Sequence, residues 1–203
     1  MIPMTVEQLY EKLCSNKFQD TENGDLFYNY FVYLYEAEKE YEMRNQIDNI
    51  RENIKRPVNN VDVLTLDIFE EFCNFLDGQH FGKHPSYLKY ILEKDATKPE
   101  EVTRALLSKA TSDDFMKYIH ERIIQHVNKI DNYIRPYVFI YGIGNIYPYL
   151  RTSTFLSKYE QYNSSSRYKI ILFYPGKKEG TSFKLFSDLE DNHTYRAIVL
   201  MNE

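Results

Sequence analysis

Hydrophobic and polar positions follow two distinct rhythms along this chain. Short runs dense in β-branched and aromatic residues recur without helix-type gaps: the middle of LFYNYFVYLY (Leu26 to Tyr35), VDVLTL (Val61 to Leu66), Tyr137 to Tyr141, and YKIILFY (Tyr168 to Tyr174). Such runs predict strands covered on both faces. TYRAIVLM (Thr194 to Met201) supplies a final strand and FKLF (Phe183 to Phe186) a short one. Between the strands, apolar residues fall at helical spacing. Thr5 caps a first helix near Val6 to Cys14, with Gln8 as its capping-box partner. Glu36 to Ile54 offers Tyr41, Ile47, Ile50 and Ile54 to one face. Asp67 caps a helix from Ile68 to Leu76, and Gly78 ends it. From Gly82 to Ile130 there is no strand signal. Pro85 to Glu93, Pro99 to Ala110 and Asp113 to Ile130 read as helices, the last behind Ser112 as its cap. The alternation predicts a mixed α/β fold with a mostly parallel central sheet flanked by helices. It is expected to be one domain over residues 1–203, with a helical insertion at 82–130 between the second and third main strands.

The segment RPYVFIYGIGNIYPYLRTSTFL (Arg135 to Leu156) reads as strand, glycine turn and helix. Gly142 and Gly144 let the backbone turn where a Cβ would obstruct it. Asn145 is a good N-cap and Pro148 is tolerated in a first helical turn, so a helix through about Tyr159 is expected, with Arg151 one turn inside. Open α/β sheets usually place a ligand or partner site at such a turn. The side chains restrict the choice. Gly142-x-Gly144 is half of a dinucleotide fingerprint, but Tyr147 stands where a third glycine belongs, and no Gly-Lys-Ser/Thr follows. Ile143, Ile146 and Tyr147 add apolar bulk. The turn therefore reads as structural or partner-binding rather than as a nucleotide site. Pro175–Gly176 reads as the turn that closes the fourth strand, followed by an exposed turn at 177–180. Loops that follow parallel strands share one side of the sheet, so Gly142–Asn145 and Pro175–Gly176 should be neighbours. The candidate site residues are Gly142, Gly144, Asn145, Tyr147, Pro148, Arg151, Tyr174, Pro175, Gly176 and Arg196, with Arg151 and Arg196 expected together at one sheet edge.

Composition narrows the classes further. The chain has 203 residues, 43% of them hydrophobic, enough for an ordinary core. Aromatic residues make up 16%, as Tyr and Phe without Trp. A net charge of −5 argues against a general nucleic-acid binder. Residues 151–184 nevertheless carry seven basic side chains against two acidic ones, a net of +5, which leaves −10 elsewhere. That segment reads as a solvated face, or as a docking surface for an acidic partner or phosphate. Two cysteines, no basic-then-apolar leader and no long apolar run predict a cytoplasmic protein that does not enter a membrane. Cys73, His80 and His84 lack a fourth ligand at motif spacing, and His193 beside Asp188, Glu190 and Asp191 reads as a solvated turn, so no metal is expected. No catalytic motif occurs, and neither an enzymatic activity nor a cofactor is expected.

Three motifs taken together are distinctive: FIYGIGNIYPYLR (Phe139 to Arg151), ILFYPG (Ile171 to Gly176) and FKLFSDL…TYRAIVL (Phe183 to Leu200). Their order, an apolar strand ending in Gly-x-Gly, then Tyr-Pro-x-x-Arg, Phe-Tyr-Pro-Gly and Tyr-Arg-Ala, resembles the BrxB family of BREX phage-defence systems. The upstream segments LFYNYFVYLY and VDVLTLDIFEEF are similar to that family's N-terminal half, whereas Gly82 to Ile130 carries no matching motif. The resemblance implies a small non-catalytic accessory component that works through protein–protein contacts with other BREX proteins, among them a PglZ-type alkaline-phosphatase-like protein. Two other readings stay open: a nucleotide-binding sensor or enzyme using the Gly142–Asn145 turn, and a DNA-contacting accessory using the basic segment 151–184.

Overall fold

The computed structural model of the protein describes residues 4–19, 30–162, 167–179, 182–191 and 198–201. Helix α1 (Val6–Cys14) begins with the expected capping box: Thr5 Oγ1 accepts from the Gln8 amide at 3.3 Å, and Gln8 Oε1 accepts from the Thr5 amide at 2.8 Å. A short α2 (Asn16–Gln19) precedes β1 (Tyr30–Tyr35), in which every residue is buried. The chain then turns through Ala37–Lys39 into α3 (Glu40–Ile54), β2 (Val61–Asp67) and α4 (Ile68–Asp77). The insertion follows as α5 (Tyr87–Asp95), α6 (Pro99–Ala110) and α7 (Asp113–Val127). Next come β3 (Arg135–Tyr141), α8 (Ile143–Ile146), α9 (Thr152–Tyr159) and β4 (Lys169–Glu179). Strands β5 (Ser182–Leu185), β6 (Leu189–Asp191) and β7 (Ile198–Val199) complete the order. Of the expected last strand, residues 194–197 lie outside the described residues.

Strands pair in the order β2-β3-β4-β1-β7, and every neighbouring pair is parallel. The handedness of crossovers explains the layering. The connection from β1 to β2 travels one way across the sheet, whereas β2 to β3 and β3 to β4 travel back. Right-handed crossovers between parallel strands must then run over opposite faces. Accordingly α1 and α3 pack Leu9, Leu13, Ile47 and Ile54 against Phe139, Ile171 and Phe173. On the other face α4, α7 and α9 pack Phe72, Ile119, Ile123 and Phe155 against Val138, Ile140 and Leu172. Each strand is thus apolar on both sides, the property that made the runs legible.

Tyr41 does not join the buried face of α3: it is 84% exposed, and Met43 packs there with Ile47, Ile50 and Ile54. Two other local expectations fail at prolines. The helix expected from Asn145 to Tyr159 is two pieces. Pro148 follows a cis peptide bond, and Tyr147 ahead of it is extended at φ −63°, ψ 139°. A proline disfavours helical backbone in the residue before it and supplies no N–H, so it breaks this helix instead of starting it. Asn145 is therefore inside α8 rather than its cap, and Arg151 is the N-cap residue of α9 rather than a residue one turn in. Likewise Pro175–Gly176 does not close β4. The strand runs on to Glu179, leaves its parallel neighbours and pairs antiparallel with β5, which pairs with β6. Pro175 sits opposite Tyr35, where the parallel ladder ends and a missing N–H is no loss. A Cβ at Gly176 would stand 2.1 Å from the Lys184 carbonyl oxygen, so glycine permits the close pairing that continues the strand.

Candidate functional site at the C-terminal edge of the sheet

Parallel register brings the C-terminal ends of four strands to one edge: Tyr35 lies opposite Pro175, and Asp67 opposite Tyr141. Asp67, 5% exposed, is both the last residue of β2 and the N-cap of α4. Its Oδ1 accepts from the amides of Phe69 at 3.0 Å and Glu70 at 3.3 Å. Its Oδ2 accepts from Arg44 Nη1 at 2.9 Å. Arg44 also donates through Nε to Glu40 Oε1 at 3.0 Å and lies 5.3 Å from the Tyr141 ring centre. Glu40 Oε2 accepts from the Tyr35 hydroxyl. Burial, followed by the Glu40 carboxylate, holds that hydroxyl far above the usual tyrosine range. Burial and the Asp67 carboxylate also push Tyr141 upward. A continuous chain of charge-assisted bonds therefore ties the end of β1 through α3 to the end of β2.

The glycine turn is packed against this chain. Gly142 has φ +75°, and a Cβ there would stand 2.4 Å from Asp67 Oδ1. A Cβ on Gly144 would stand 2.6 Å from Phe186 Cζ and 3.4 Å from Pro175 Cγ. The Gly142–Asn145 turn and Pro175–Gly176 are neighbours at one edge, as expected. The space the two glycines free is taken by the protein's own side chains. A carboxylate also abuts the turn, which opposes the approach of a phosphate.

Of the candidate residues, Gly142, Gly144, Pro175 and Gly176 converge here. Arg151 places its guanidinium 5.8 Å from the Tyr147 ring centre. Asn145, Pro148 and Arg151 are exposed. Tyr174 is fully buried, 5.8 Å from the Phe183 ring, and so contributes to the core rather than to a contact surface. Arg196 lies outside the described residues, as does His193. The sequence reading missed Tyr35, Glu40 and Arg44. Glu40 and Arg44 have the spacing of any surface helix pair, and only the path of α3 from β1 across to β2 shows what they reach. The rim around the turn is apolar: Phe69, Phe186 and Leu189 are 42%, 40% and 38% exposed. Ile143, Tyr147, Leu150, Arg151, Leu185 and Leu189 line a narrow cleft. Among the described residues no cluster of ligating side chains could hold a metal, and no helix is long and apolar enough to cross a membrane.

Fold and site together define an α/β domain with a parallel sheet whose ligand edge is filled and rimmed with exposed apolar groups. Comparison with known proteins makes the assignment specific. The family described as BREX protein BrxB matches residues 64–200, well over half of the chain, and the protein belongs to that family. It is also 21% identical, over 98% of its own length and 96% of the relative's, to the BREX protein BrxB of Bacillus cereus (strain H3081.97). No solved structure matches it. The protein is thus a component of a BREX antiphage-defence system. The match runs through α5 to α7, so the insertion that carried no recognisable motif lies within the family's span.

Proposed function

We propose that this protein is a non-catalytic assembly component of its BREX system, and that it docks a PglZ-type partner through the C-terminal edge of the sheet. The observation that carries the reading is the filled turn: Asp67 and Phe186 occupy the space beside Gly142 and Gly144, while Phe69, Phe186 and Leu189 stand exposed around it. Apolar groups of this size rimmed by an arginine and a tyrosine have the make-up of an interface centre rather than of a small-molecule pocket. The partner meets Phe69, Tyr147, Arg151 and Leu189, and the buried glycines and Pro175 hold that surface in shape. The contacts form in the cytoplasm, and this face reaches DNA only indirectly, through the assembly.

The test is affinity capture of the tagged protein from cells that carry the whole operon. The wild type is expected to retain the PglZ-type protein, and a Phe69→Ala/Arg151→Ala variant, both sites being exposed, to release it while circular dichroism shows it folded. A folded variant that keeps every partner would overturn the assignment. Heat evolved on titration with ATP, GTP or a dinucleotide would instead favour the nucleotide reading.

A further inference from the structure

At the opposite end of α4 from Asp67, the loop between α4 and α5 carries a second aromatic surface that the docking face does not use. Gly82, at φ +56°, turns the chain so that Phe81 and His84 form an isolated bridge. The turn folds Phe81 over α5. Its ring centre lies 4.3 Å from that of Tyr90 and 5.0 Å from that of Tyr87, and His84 lies 5.3 Å from Tyr90. Phe81 stands outside the core, Tyr90 and His84 are half-buried, and Tyr87 packs against the core's edge. Phe81 is 42% exposed, Leu92 on the same helix is 65% exposed, and a Cβ on Gly82 would meet nothing within 4 Å. The tyrosines are anchored from beneath. The Tyr87 amide donates to the Gln79 carbonyl at 2.6 Å, and Lys109 from α6 lies 5.0 Å from the Tyr87 ring centre while donating to Gln79 Oε1 at 2.7 Å.

The surface is locally basic in a chain that is acidic as a whole, though less so than the +5 segment at 151–184. Residues 80–98 contain four lysines against two acidic residues, a net of +2, so the remainder of a chain of net −5 must carry −7. Lys83 and Lys89 are exposed and make no ion pair among the described residues. An exposed ring, Phe81, stacked on the half-buried Tyr90 and flanked by two exposed lysines matches what unpaired bases require: a face to stack on and cations along the phosphates. The carboxylates of an acidic peptide would use the cations and leave the rings without a stacking partner, and a duplex keeps its bases stacked within itself.

We propose that the Phe81–Tyr90 platform binds single-stranded nucleic acid without sequence preference, by base stacking on Phe81 and Tyr90 and by phosphate contacts to Lys83 and Lys89. The surface is separate from the docking face, so the two readings fail independently. The experiment is fluorescence anisotropy at low salt with labelled oligothymidylate and oligouridylate of about 20 nucleotides, long enough to span one such site. Both are expected to bind, more tightly than a duplex of equal length and more weakly as salt rises. Phe81→Ala or Tyr90→Ala is expected to lose roughly five- to hundredfold in affinity, the contribution of one base stacked on one ring. Lys83→Glu, at an exposed turn position away from the core, should weaken binding and flatten its salt dependence while circular dichroism stays unchanged. Absence of binding to either oligonucleotide at low salt would overturn the proposal, and so would binding that Phe81→Ala/Tyr90→Ala leaves intact. Equal displacement by a polyglutamate peptide would overturn it as well, since the surface would then read charge alone.

Discussion

Substituting Gly142 by alanine tests the most tightly determined contact of the sheet edge. The change acts twice. At φ +75° an alanine is in the left-handed region, which costs about 1–2 kcal/mol for a residue with a Cβ. The new methyl would also sit 2.4 Å from Asp67 Oδ1, so the carboxylate must move. If it moves, it gives up its cap on α4, a loss of about 1 kcal/mol. It also gives up its charge-assisted bond to Arg44, worth about 1.5–3 kcal/mol. Together these predict a destabilisation of about 3–6 kcal/mol, or a fall in Tm of roughly 6–24 °C for a chain of this size. Urea unfolding followed by circular dichroism measures it. The control is the same change in an Asp67→Ala background, where the clash is absent and about 1–2 kcal/mol of backbone strain should remain. A cost below about 1 kcal/mol, or an equal cost in both backgrounds, would refute the account.

Two further substitutions check the ties between helices and sheet. Asp62 lies 3.0 Å from His126 Nε2 and 3.1 Å from Lys55 Nζ, and His126 chiefly, with help from Lys55, holds its carboxyl well below the usual carboxylate range. Its folded-state pKa is depressed, so the stability it contributes is present above the unfolded value of about 3.9 and lost as pH falls through the folded one. Asp62→Asn should therefore show a shallower loss of stability in urea titrations below about pH 4, and a slope equal to wild type would count against the pairing. Glu71, 6% exposed, accepts from Arg122 Nη2 at 3.0 Å and from the Tyr118 hydroxyl at 2.9 Å, joining α4 to α7. Burial and this bond push Tyr118 up to about 12. Glu71→Ala, which opens a gap and frees both partners, should cost about 2–4 kcal/mol in the same unfolding assay, and a change under about 1 kcal/mol would contradict the tie.

Much of the fold was legible because its cues are local or periodic. Thr5, Asp67 and Ser112 declare helix starts through side chains that reach their own amides. Runs such as Tyr137 to Tyr141 declare central strands because both faces are covered. The convergence of Gly142–Asn145 with Pro175 followed from parallel topology alone. Prolines were harder to read. Pro148 and Pro175 each fit two conformations locally, and packing chose the one that broke a helix at Tyr147 and carried a strand past Gly176. Long-range electrostatics stayed out of reach: Arg44 meets Asp67 across 23 positions, a contact that exists only once β1 and β2 have been placed three strands apart. The glycines themselves were correctly marked, but only coordinates show that Asp67 and Phe186 use the space they leave.

Hydrogen exchange of the protein alone and in complex with its purified PglZ-type partner tests the docking face most directly. Amides of described residues 67–70, 143–152 and 185–189 should exchange more slowly in the complex, while the outer faces of α3 and α6 keep their free rates. Protection confined to those helices, with the C-terminal edge of the sheet unchanged, would contradict the claim that this edge is where the partner binds.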